Sequence, residues 1–214
     1  MNIHTTKTNK LNVGYSVLFT LIIIIPVLYA IYVTYGTNSK IKDNTIVEND
    51  NSINIYKEGT VTNLYELASY TTTIHDNDKN RIHNINLACK NLNGHIVHTD
   101  KEFSFNTVLG KMNQQAGYKK ALGFDSNGNK IKMYGGGICQ LSSTLYNAVL
   151  IAKLQVTERH AHSRRVNYVP KNKDATIYYG GPDFKFINNT NNDIIIYTNT
   201  DGSKVTVTLK TIIN

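Results

Sequence analysis

The sequence has few of the residues that cross-link a chain or interrupt its secondary structure. Its 214 residues include two cysteines, three prolines and no tryptophan. Two cysteines allow at most one disulfide. Cys89 shares one helical face with Ile85 and Leu92, which is the position of a small core residue. We therefore expect two free thiols with different roles, Cys89 packed in the core and Cys139 available for chemistry.

Several common functional motifs are absent as well. The sequence contains no phosphate-binding loop, no dinucleotide fingerprint and no kinase signature, so no cofactor is expected. No basic block is interleaved with aromatic residues, and nucleic acid is therefore not an expected partner. No internal repeat is evident. These absences leave chemistry that side chains perform unaided, or binding without chemistry.

Charged residues are also absent from one long stretch, Val13 to Tyr35, whose centre is densely apolar. At about 1.5 Å per residue, a helix of this length crosses a hydrocarbon layer of roughly 30 Å. The apolar run is long for a cleaved signal peptide, and no A-x-A site follows it. We expect an uncleaved signal anchor that crosses the membrane once.

The anchor divides the chain into four segments. Residues 1–12 are expected in the cytoplasm, because Lys7 and Lys10 precede the apolar run and no acidic residue does. Residues 13–35 are the predicted transmembrane signal anchor. Residues 36–63 are polar without an apolar period, which predicts an extracytoplasmic linker. Residues 64–214 are then an exported domain, held at the cell membrane on its outer side.

The formal net charge of the chain is +8. A basic domain outside a membrane meets anionic wall polymers, lipid headgroups and acidic glycans. Peptidoglycan or another anionic wall polymer is therefore the expected partner, together with the membrane itself through residues 13–35. The alternative is that the charge only keeps the domain soluble.

The most informative local pattern is Gly135-Gly136-Gly137-Ile138-Cys139-Gln140. Three glycines permit a sharp turn, and the residues that follow have the apolar spacing of a helix with one buried face. Cys139 is thus predicted at a helix N-terminus, where unpaired N–H groups and the helix dipole favour a thiolate. A merely packed cysteine is the alternative.

The order of the other elements predicts an α+β domain. A helix is predicted over Asn80–Leu92, and the stretch from Gly110 to Tyr134 is predicted as a loop with a hairpin around Asn127-Gly128. After the Cys139 helix, short runs rich in β-branched and aromatic residues predict an antiparallel meander. These runs are Val156–His162, Val166–Val169, Ala175–Tyr179, Phe184–Ile187, Ile194–Thr198 and Val205–Leu209. The N-terminal helices are expected to pack on this sheet.

Ordered blocks along the exported part resemble the VanW family. The matching blocks are Leu67-Ala68-Ser69-Tyr70, Asn80-Arg81-Ile82-His83, Phe103-Ser104-Phe105-Asn106, Gly135-Gly136-Gly137-Ile138-Cys139-Gln140, Glu158-Arg159-His160, Asp174-Ala175-Thr176 and Asp183-Phe184. The resemblance runs from about residue 64 to 198. It implies a cell-envelope protein with a link to glycopeptide resistance, and it implies no established mechanism.

The residue order also predicts a nucleophilic site of the transglutaminase-like or papain-like kind. In that scheme Cys139 attacks an acyl carbon and His160 shuttles the proton. Asp174 or Asp183 would fix the imidazole tautomer. Gln140 or the amides of residues 136–139 would stabilise the oxyanion. The expected substrate is a peptidoglycan stem peptide, with hydrolysis or transpeptidation as the reaction.

Five further residues are candidates for substrate binding: Gly136, Gly137, Tyr146, His162 and Arg164. Each also has a structural alternative, such as glycines that only form the turn or an arginine on a solvated face. Two alternative functions stay open. One is a non-catalytic wall-binding or accessory module. The other is a zinc site on His160 and His162, with Cys139 and an aspartate as further ligands.

Overall fold

The computed structural model describes residues 45–49, 52–57, 60–125 and 127–213. The expected cytoplasmic N-terminus and the signal anchor expected over residues 13–35 lie outside the described residues. Among the residues that are described, no helix is long and apolar enough to cross a membrane. Contacts divide the chain into two units. The larger unit, Val47–Ile55 with Val61–Asn214, contains the elements that carry the site.

The described elements follow one another in the order β1 (Thr45–Asn49), β2 (Ser52–Lys57), β3 (Thr60–Thr73), α1 (Lys79–Leu92), β4 (His95–Val97), β5 (Glu102–Ser104), α2 (Phe105–Leu109), β6 (Lys120–Phe124), β7 (Lys130–Tyr134), α3 (Cys139–Ile151), β8 (Gln155–Glu158), β9 (Lys185–Ile187), β10 (Ile194–Thr200) and β11 (Lys204–Ile213). Helices therefore precede the last four strands, as expected for the α+β class.

Both long helices pack on one sheet. The sheet has the strand order β1-β2-β3-β11-β10-β4, and its pairs β3–β11, β11–β10 and β10–β4 are antiparallel. Helix α1 contacts β10 and helix α3 contacts β11. Val205, Val207 and Leu209 alternate along β11 with their side chains fully buried. That alternation is the period-2 pattern of a strand with one face on the core.

Two smaller sheets complete the domain. Strands β5, β9 and β8 form an antiparallel sheet in that order, and β6 pairs with β7 as a hairpin. Phe103 of β5 stacks on Phe186 of β9 with ring centroids 4.9 Å apart. The hairpin lies immediately before the glycine-rich turn. It therefore positions the start of helix α3.

Several predictions from the sequence are confirmed. The domain is α+β with antiparallel sheets, the first helix spans Lys79–Leu92, and the second begins at Cys139. The hairpin around Asn127-Gly128 joins β6 to β7. Cys89 and Cys139 are both free, and Cys89 is buried.

The predicted meander is only partly correct. Val166–Val169 and Ala175–Tyr179 are not strands, apart from an isolated bridge between Thr176 and His160. Side chains of α3 bond the main chain here instead of a neighbouring strand. Ser142 Oγ donates to the Ala175 carbonyl at 2.6 Å, and the Ala175 N–H donates to Ser143 Oγ at 2.9 Å. Polar groups of the helix thus replace a sheet partner for this segment.

The segment predicted as a linker, residues 36–63, also differs from a plain polar tether. The structure places β1 and β2 within it, and β3 begins at Thr60 rather than near Leu64. The short helix α2 starts at Phe105. Ser104 caps that helix by accepting a hydrogen bond from the Thr107 N–H at 3.1 Å.

Candidate functional site

The glycine turn before α3 requires glycine for steric reasons. Gly135 and Gly137 have φ angles of 76° and 106°, a region that side chains with a Cβ rarely adopt. Gly136 is constrained differently, because a Cβ there would lie 2.4 Å from the carbonyl oxygen of Ala121 in β6. The close approach of these two backbones fixes Cys139 as the first residue of α3.

Replacement of Gly136 by alanine is expected to destabilise the domain by about 2 kcal/mol, because backbone atoms of β6 must move to admit the methyl group. Gly181→Ala is the matched control, since a Cβ there meets only Tyr178, at 3.4 Å or more. Urea unfolding of both variants measures the difference. Equal stability of the two variants would show that the β6 backbone does not constrain this turn.

The Cys139 thiol is partly buried and surrounded by groups of the chain segment that follows the histidines. Its sulfur lies 3.8 Å from Thr176 Oγ1 and 3.7 Å from the Ile177 carbonyl oxygen. Burial raises the pKa of the thiol, but the neighbouring His162, together with the interactions of Ile177 and Thr176, holds the pKa below its ordinary value. The first turn of α3 acts in the same direction. The site favours a thiolate.

His162 is held by Asp174. The imidazole Nδ1 lies 2.7 Å from Asp174 Oδ2, and the main-chain N–H of His162 donates to the same oxygen at 2.7 Å. The two side chains are only 6% and 11% exposed. Burial lowers the pKa of His162, but the interactions with Cys139 and Asp174 raise it above its usual value. Because Asp174 occupies Nδ1, Nε2 is the ring nitrogen that remains for other partners.

Arg159 fixes the aspartate in turn. Its Nη2 donates to Asp174 Oδ1 at 2.8 Å and its Nε donates to the Asp174 carbonyl at 2.6 Å. Burial raises the pKa of Asp174, yet its hydrogen bonds from His162 bring it below the usual range. The guanidinium also lies 5.5 Å from the ring centroid of Tyr146. The carboxylate therefore stays charged and oriented toward His162.

Tyr168 completes the surroundings of the imidazole. Its hydroxyl lies 3.4 Å from His162 Nε2, and its ring meets the imidazole edge to face with centroids 6.4 Å apart. Burial raises the pKa of Tyr168 well above its usual value. The phenol therefore stays protonated and can donate a hydrogen bond in the site.

His160, predicted as the partner of Cys139, serves a surface ion pair instead. Its Nε2 lies 2.9 Å from Glu158 Oε1, and its side chain is 47% exposed. Glu158 also pairs with Lys185 at 2.8 Å. The contribution of His160 to the site is through its main chain, whose carbonyl accepts a hydrogen bond from the Thr176 N–H at 2.8 Å. The histidine beside the thiol is His162.

Asp183 was the other candidate for orienting a histidine. Its carboxylate accepts hydrogen bonds from Ser104 Oγ at 2.6 Å and from the Asn106 N–H at 2.9 Å, and it thereby holds the start of α2. It lines a shallow pocket with Lys185 and Tyr179. Of the two aspartates, Asp174 is the one that contacts His162.

Gln140 is tied into the fold rather than free at the site. Its Oε1 accepts from Arg81 Nη2 at 2.9 Å, and its Nε2 donates to Thr72 Oγ1 and to the Thr73 carbonyl at 3.1 and 2.9 Å. Its exposure is 1%. The amides of the turn are the remaining oxyanion donors. Within the described part of the chain, no acceptor bonds the N–H of Gly137 or of Cys139.

The remaining candidates for substrate binding have varied positions. Gly136 and Gly137 form the turn, and Tyr146 packs edge to face on Phe184 with centroids 5.5 Å apart. Arg164 is exposed and lies beside Gly128 of the hairpin loop. Of these five residues, His162 is the one that lowers the pKa of the Cys139 thiol.

The zinc alternative required His160 and His162 to converge. His160 bonds Glu158, whereas His162 bonds Asp174. No group of three or more histidine, cysteine, aspartate or glutamate side chains is arranged to hold a metal ion in the part of the chain that the structure describes. The geometry supports a proton-transfer site on Cys139 and His162 better than a ligand set.

The two cysteines are expected to differ strongly in reactivity. Burial raises the pKa of Cys89 to about 12, whereas the pKa of Cys139 is lowered. Iodoacetamide at about pH 6.5 should therefore modify Cys139 alone, because the thiolate is the reacting species. Mass spectrometry of tryptic peptides checks this. Comparable labelling of Cys89 would contradict the assigned environments.

Three residues at this site were not singled out by sequence reasoning in these roles: Arg81, Arg159 and Tyr168. Arg81 and Arg159 appeared only within blocks that resemble the VanW family. The spacing His-x-His identified the pair His160 and His162 but not which ring faces the thiol, and no pattern marked Tyr168.

The fold and the site together define an α+β domain with a cysteine at a helix start, paired with a histidine that an aspartate orients. The family described as "VanW like protein" matches residues 80–210, so the chain belongs to the VanW family. This confirms the resemblance seen in the sequence.

Two relatives illustrate the match. The chain is 43% identical to the "Uncharacterized protein YoaR" of Bacillus subtilis (strain 168) over 144 residues, which cover 67% of this chain and 47% of that protein. It is 32% identical to the "Vancomycin B-type resistance protein VanW" of Enterococcus faecalis (strain ATCC 700802 / V583) over 132 residues, 59% of this chain and 48% of that protein. The aligned region thus spans about half the length of each relative. No solved structure matches.

Proposed function

We propose that this VanW-family domain is a cysteine acyl hydrolase or acyltransferase of the bacterial cell envelope that acts on peptidoglycan stem peptides. The observation that supports the chemistry is the arrangement of Cys139, His162 and Asp174. A thiol with a lowered pKa lies beside a histidine whose other ring nitrogen is 2.7 Å from a buried carboxylate. These are the parts that nucleophilic acyl transfer requires.

In the proposed reaction the Cys139 thiolate attacks the carbonyl carbon of a peptide bond. The amides of Gly137 and Cys139 stabilise the oxyanion that forms. The His162 imidazolium gives its proton to the leaving amine as the C–N bond breaks, which leaves a thioester on Cys139. Neutral His162 then removes a proton from water for hydrolysis, or from a second amine for transpeptidation, as that nucleophile attacks the thioester carbon. The C–S bond breaks, and the Cys139 thiolate and the His162 imidazolium are restored.

Three observations support a location in the cell envelope. Residues 13–35 are long and apolar enough to anchor the chain, and the net charge of +8 suits an anionic wall polymer. One relative carries the name of a vancomycin B-type resistance protein. A link to glycopeptide resistance is therefore part of this proposal. The domain would face the outside from a single-pass anchor.

The test is to incubate the full-length protein with purified stem peptides and to follow products by mass spectrometry. The proposal expects a shortened or cross-linked peptide, and a trapped adduct on Cys139 that disappears in Cys139→Ala. Cys89→Ala, which removes the buried thiol, is the matched control and should keep most of the turnover. Binding of peptidoglycan that Cys139→Ala leaves unchanged, without any product, would indicate the non-catalytic wall-binding module.

A further inference from the structure

Arg81 is a partly buried arginine beside the site, and most of its N–H donors have no acceptor among the described residues. It lies in the first turn of α1, which Asp78 caps by accepting from the Arg81 N–H at 3.1 Å. An arginine side chain has five N–H donors. Among the described residues, only one hydrogen bond leaves this guanidinium, from Nη2 to Gln140 Oε1 at 2.9 Å.

The ion pair of Arg81 does not change this. Its Nε lies 3.0 Å from Asp76 Oδ2, but the contact lacks hydrogen-bond alignment, and Nε is a buried donor without a partner in the described part of the chain. Asp76 is 52% exposed, whereas the Arg81 side chain is 16% exposed. A buried Nε–H without a partner is unusual, because buried polar groups normally find partners. Nη1 and the second N–H of Nη2 also have no acceptor among the described residues, and they are the donors that a partner from outside could use.

The guanidinium is also placed at the reacting end of the site. A Cβ built on Gly137 would lie 2.6 Å from Arg81 Cγ and 3.2 Å from Arg81 Nη1, so Nη1 lies over the turn two residues before Cys139. Burial raises the pKa of Tyr168, and the charge of Arg81 opposes that rise. Arg81 therefore acts within electrostatic reach of the phenol that contacts His162.

We propose that Arg81 binds a carboxylate of the substrate, so that the enzyme acts on a peptide bond next to a free C-terminal carboxylate. Nη1 and the second N–H of Nη2 form the planar edge that matches a carboxylate in a bidentate pair. The position over Gly137 favours a carboxylate only a few bonds from the reacting carbonyl. A C-terminal residue meets that requirement, whereas an acidic side chain places its carboxylate further away. The inference rests on the acyl-transfer function proposed above.

A pair of alkylating reagents tests the inference without a known substrate. Iodoacetate carries a carboxylate beside its reactive carbon, and iodoacetamide carries a neutral amide of similar shape. In the full-length protein, the ratio of the Cys139 alkylation rates with iodoacetate and iodoacetamide should fall about tenfold or more in Arg81→Gln. Arg81→Lys, which keeps the charge but loses the planar edge, should give an intermediate ratio.

Lys90→Gln is the matched control. It removes one positive charge from the exposed last turn of the same helix, so its ratio should equal that of the wild type. An unchanged ratio in Arg81→Gln, or equal slowing by both reagents, would overturn the carboxylate role and leave Arg81 as a support for Gln140. Slow labelling of wild-type Cys139 by iodoacetamide would instead contradict the proposed function.

A measurement on the unmodified protein covers the case in which Arg81 variants do not fold. Propionate should protect Cys139 from iodoacetamide in a saturable manner, and propionamide at the same concentration should not. Sodium chloride matches the ionic strength, since a simple charge effect is screened equally by both salts. Absence of protection by propionate, or equal protection by propionamide, would contradict a carboxylate site.

Discussion

Replacement of His162 by alanine is expected to slow alkylation of Cys139 by roughly tenfold or more at about pH 6, because one unit of thiol pKa is tenfold in thiolate fraction. His162 makes the largest contributions that lower the pKa of the thiol against burial, so its loss should raise that pKa. Stopped-time labelling with iodoacetamide, quantified by mass spectrometry, measures the rate. Turnover of a stem peptide should fall further, because the leaving amine also loses its proton donor.

His160→Ala is the matched control for this experiment. The two histidines are two residues apart, but the His160 ring is exposed and bonds Glu158. We expect its loss to change the labelling rate by less than about twofold, as for most exposed polar substitutions. If His160→Ala slowed the reaction as much as His162→Ala, the assignment of the proton-transfer role to His162 would be wrong.

Loss of the Asp174 side chain is expected to destabilise the domain by about 3 to 5 kcal/mol, because Asp174→Ala leaves Arg159 and His162 buried without their shared partner. The carboxylate accepts one hydrogen bond from Arg159 Nη2 and contacts His162 through both Nδ1 and the main-chain N–H. Urea unfolding of the purified protein measures the loss. Asp174→Asn keeps the size of the side chain and should cost less stability while still slowing Cys139 alkylation.

The stability contribution of Asp174 has a defined pH dependence. Its pKa in the folded protein is lowered, so the contribution is fully present above the unfolded value of about 3.9 and disappears as the pH falls through the folded value. The stability difference between wild type and Asp174→Ala should therefore shrink in acid. A difference that stayed constant from neutral pH to well below the unfolded value would show that the ionised carboxylate is not what stabilises the fold.

The sequence predicted the position of Cys139 because the signals there are local. Glycine spacing and the apolar residues Leu141 and Leu145 determine a turn and then a helix. Both leucines are fully buried in the structure. The prediction that both thiols are free rested on a similar helical pattern, which placed Cys89 in the core and away from a disulfide.

The choice between His160 and His162 could not be made in the same way. Two residues that alternate in a strand share a face, but β8 ends at Glu158 and the chain beyond it is irregular. The rings consequently point to different partners. What decides the outcome is Asp174, which lies twelve positions after His162 and bonds both its ring and its main chain.

Buried polar residues explain the other errors. Ser142, Ser143 and Asn147 in α3 are buried. The two serines bond Ala175 in the segment that was predicted as strand, and Asn147 bonds Lys173 just before it. Hydrogen bonds between side chains and distant main-chain groups produce no periodic pattern in the sequence, so the sequence did not predict them. Arg81 lies 58 positions before Cys139, and its relation to the site depends on the packing of α1 against the turn.

The ion pair of Cys139 and His162 is tested most directly by the ultraviolet absorbance of the Cys139 thiolate as a function of pH, taken as the difference between wild type and Cys139→Ser. The thiolate band should appear below the ordinary thiol pKa of 9.0, and this early appearance should be lost in His162→Ala. As the pH rises through the raised pKa of His162, the ion pair should give way to a thiolate beside a neutral imidazole. A single transition at or above the ordinary value in the wild type, unchanged in His162→Ala, would contradict the ion pair and the acyl chemistry built on it.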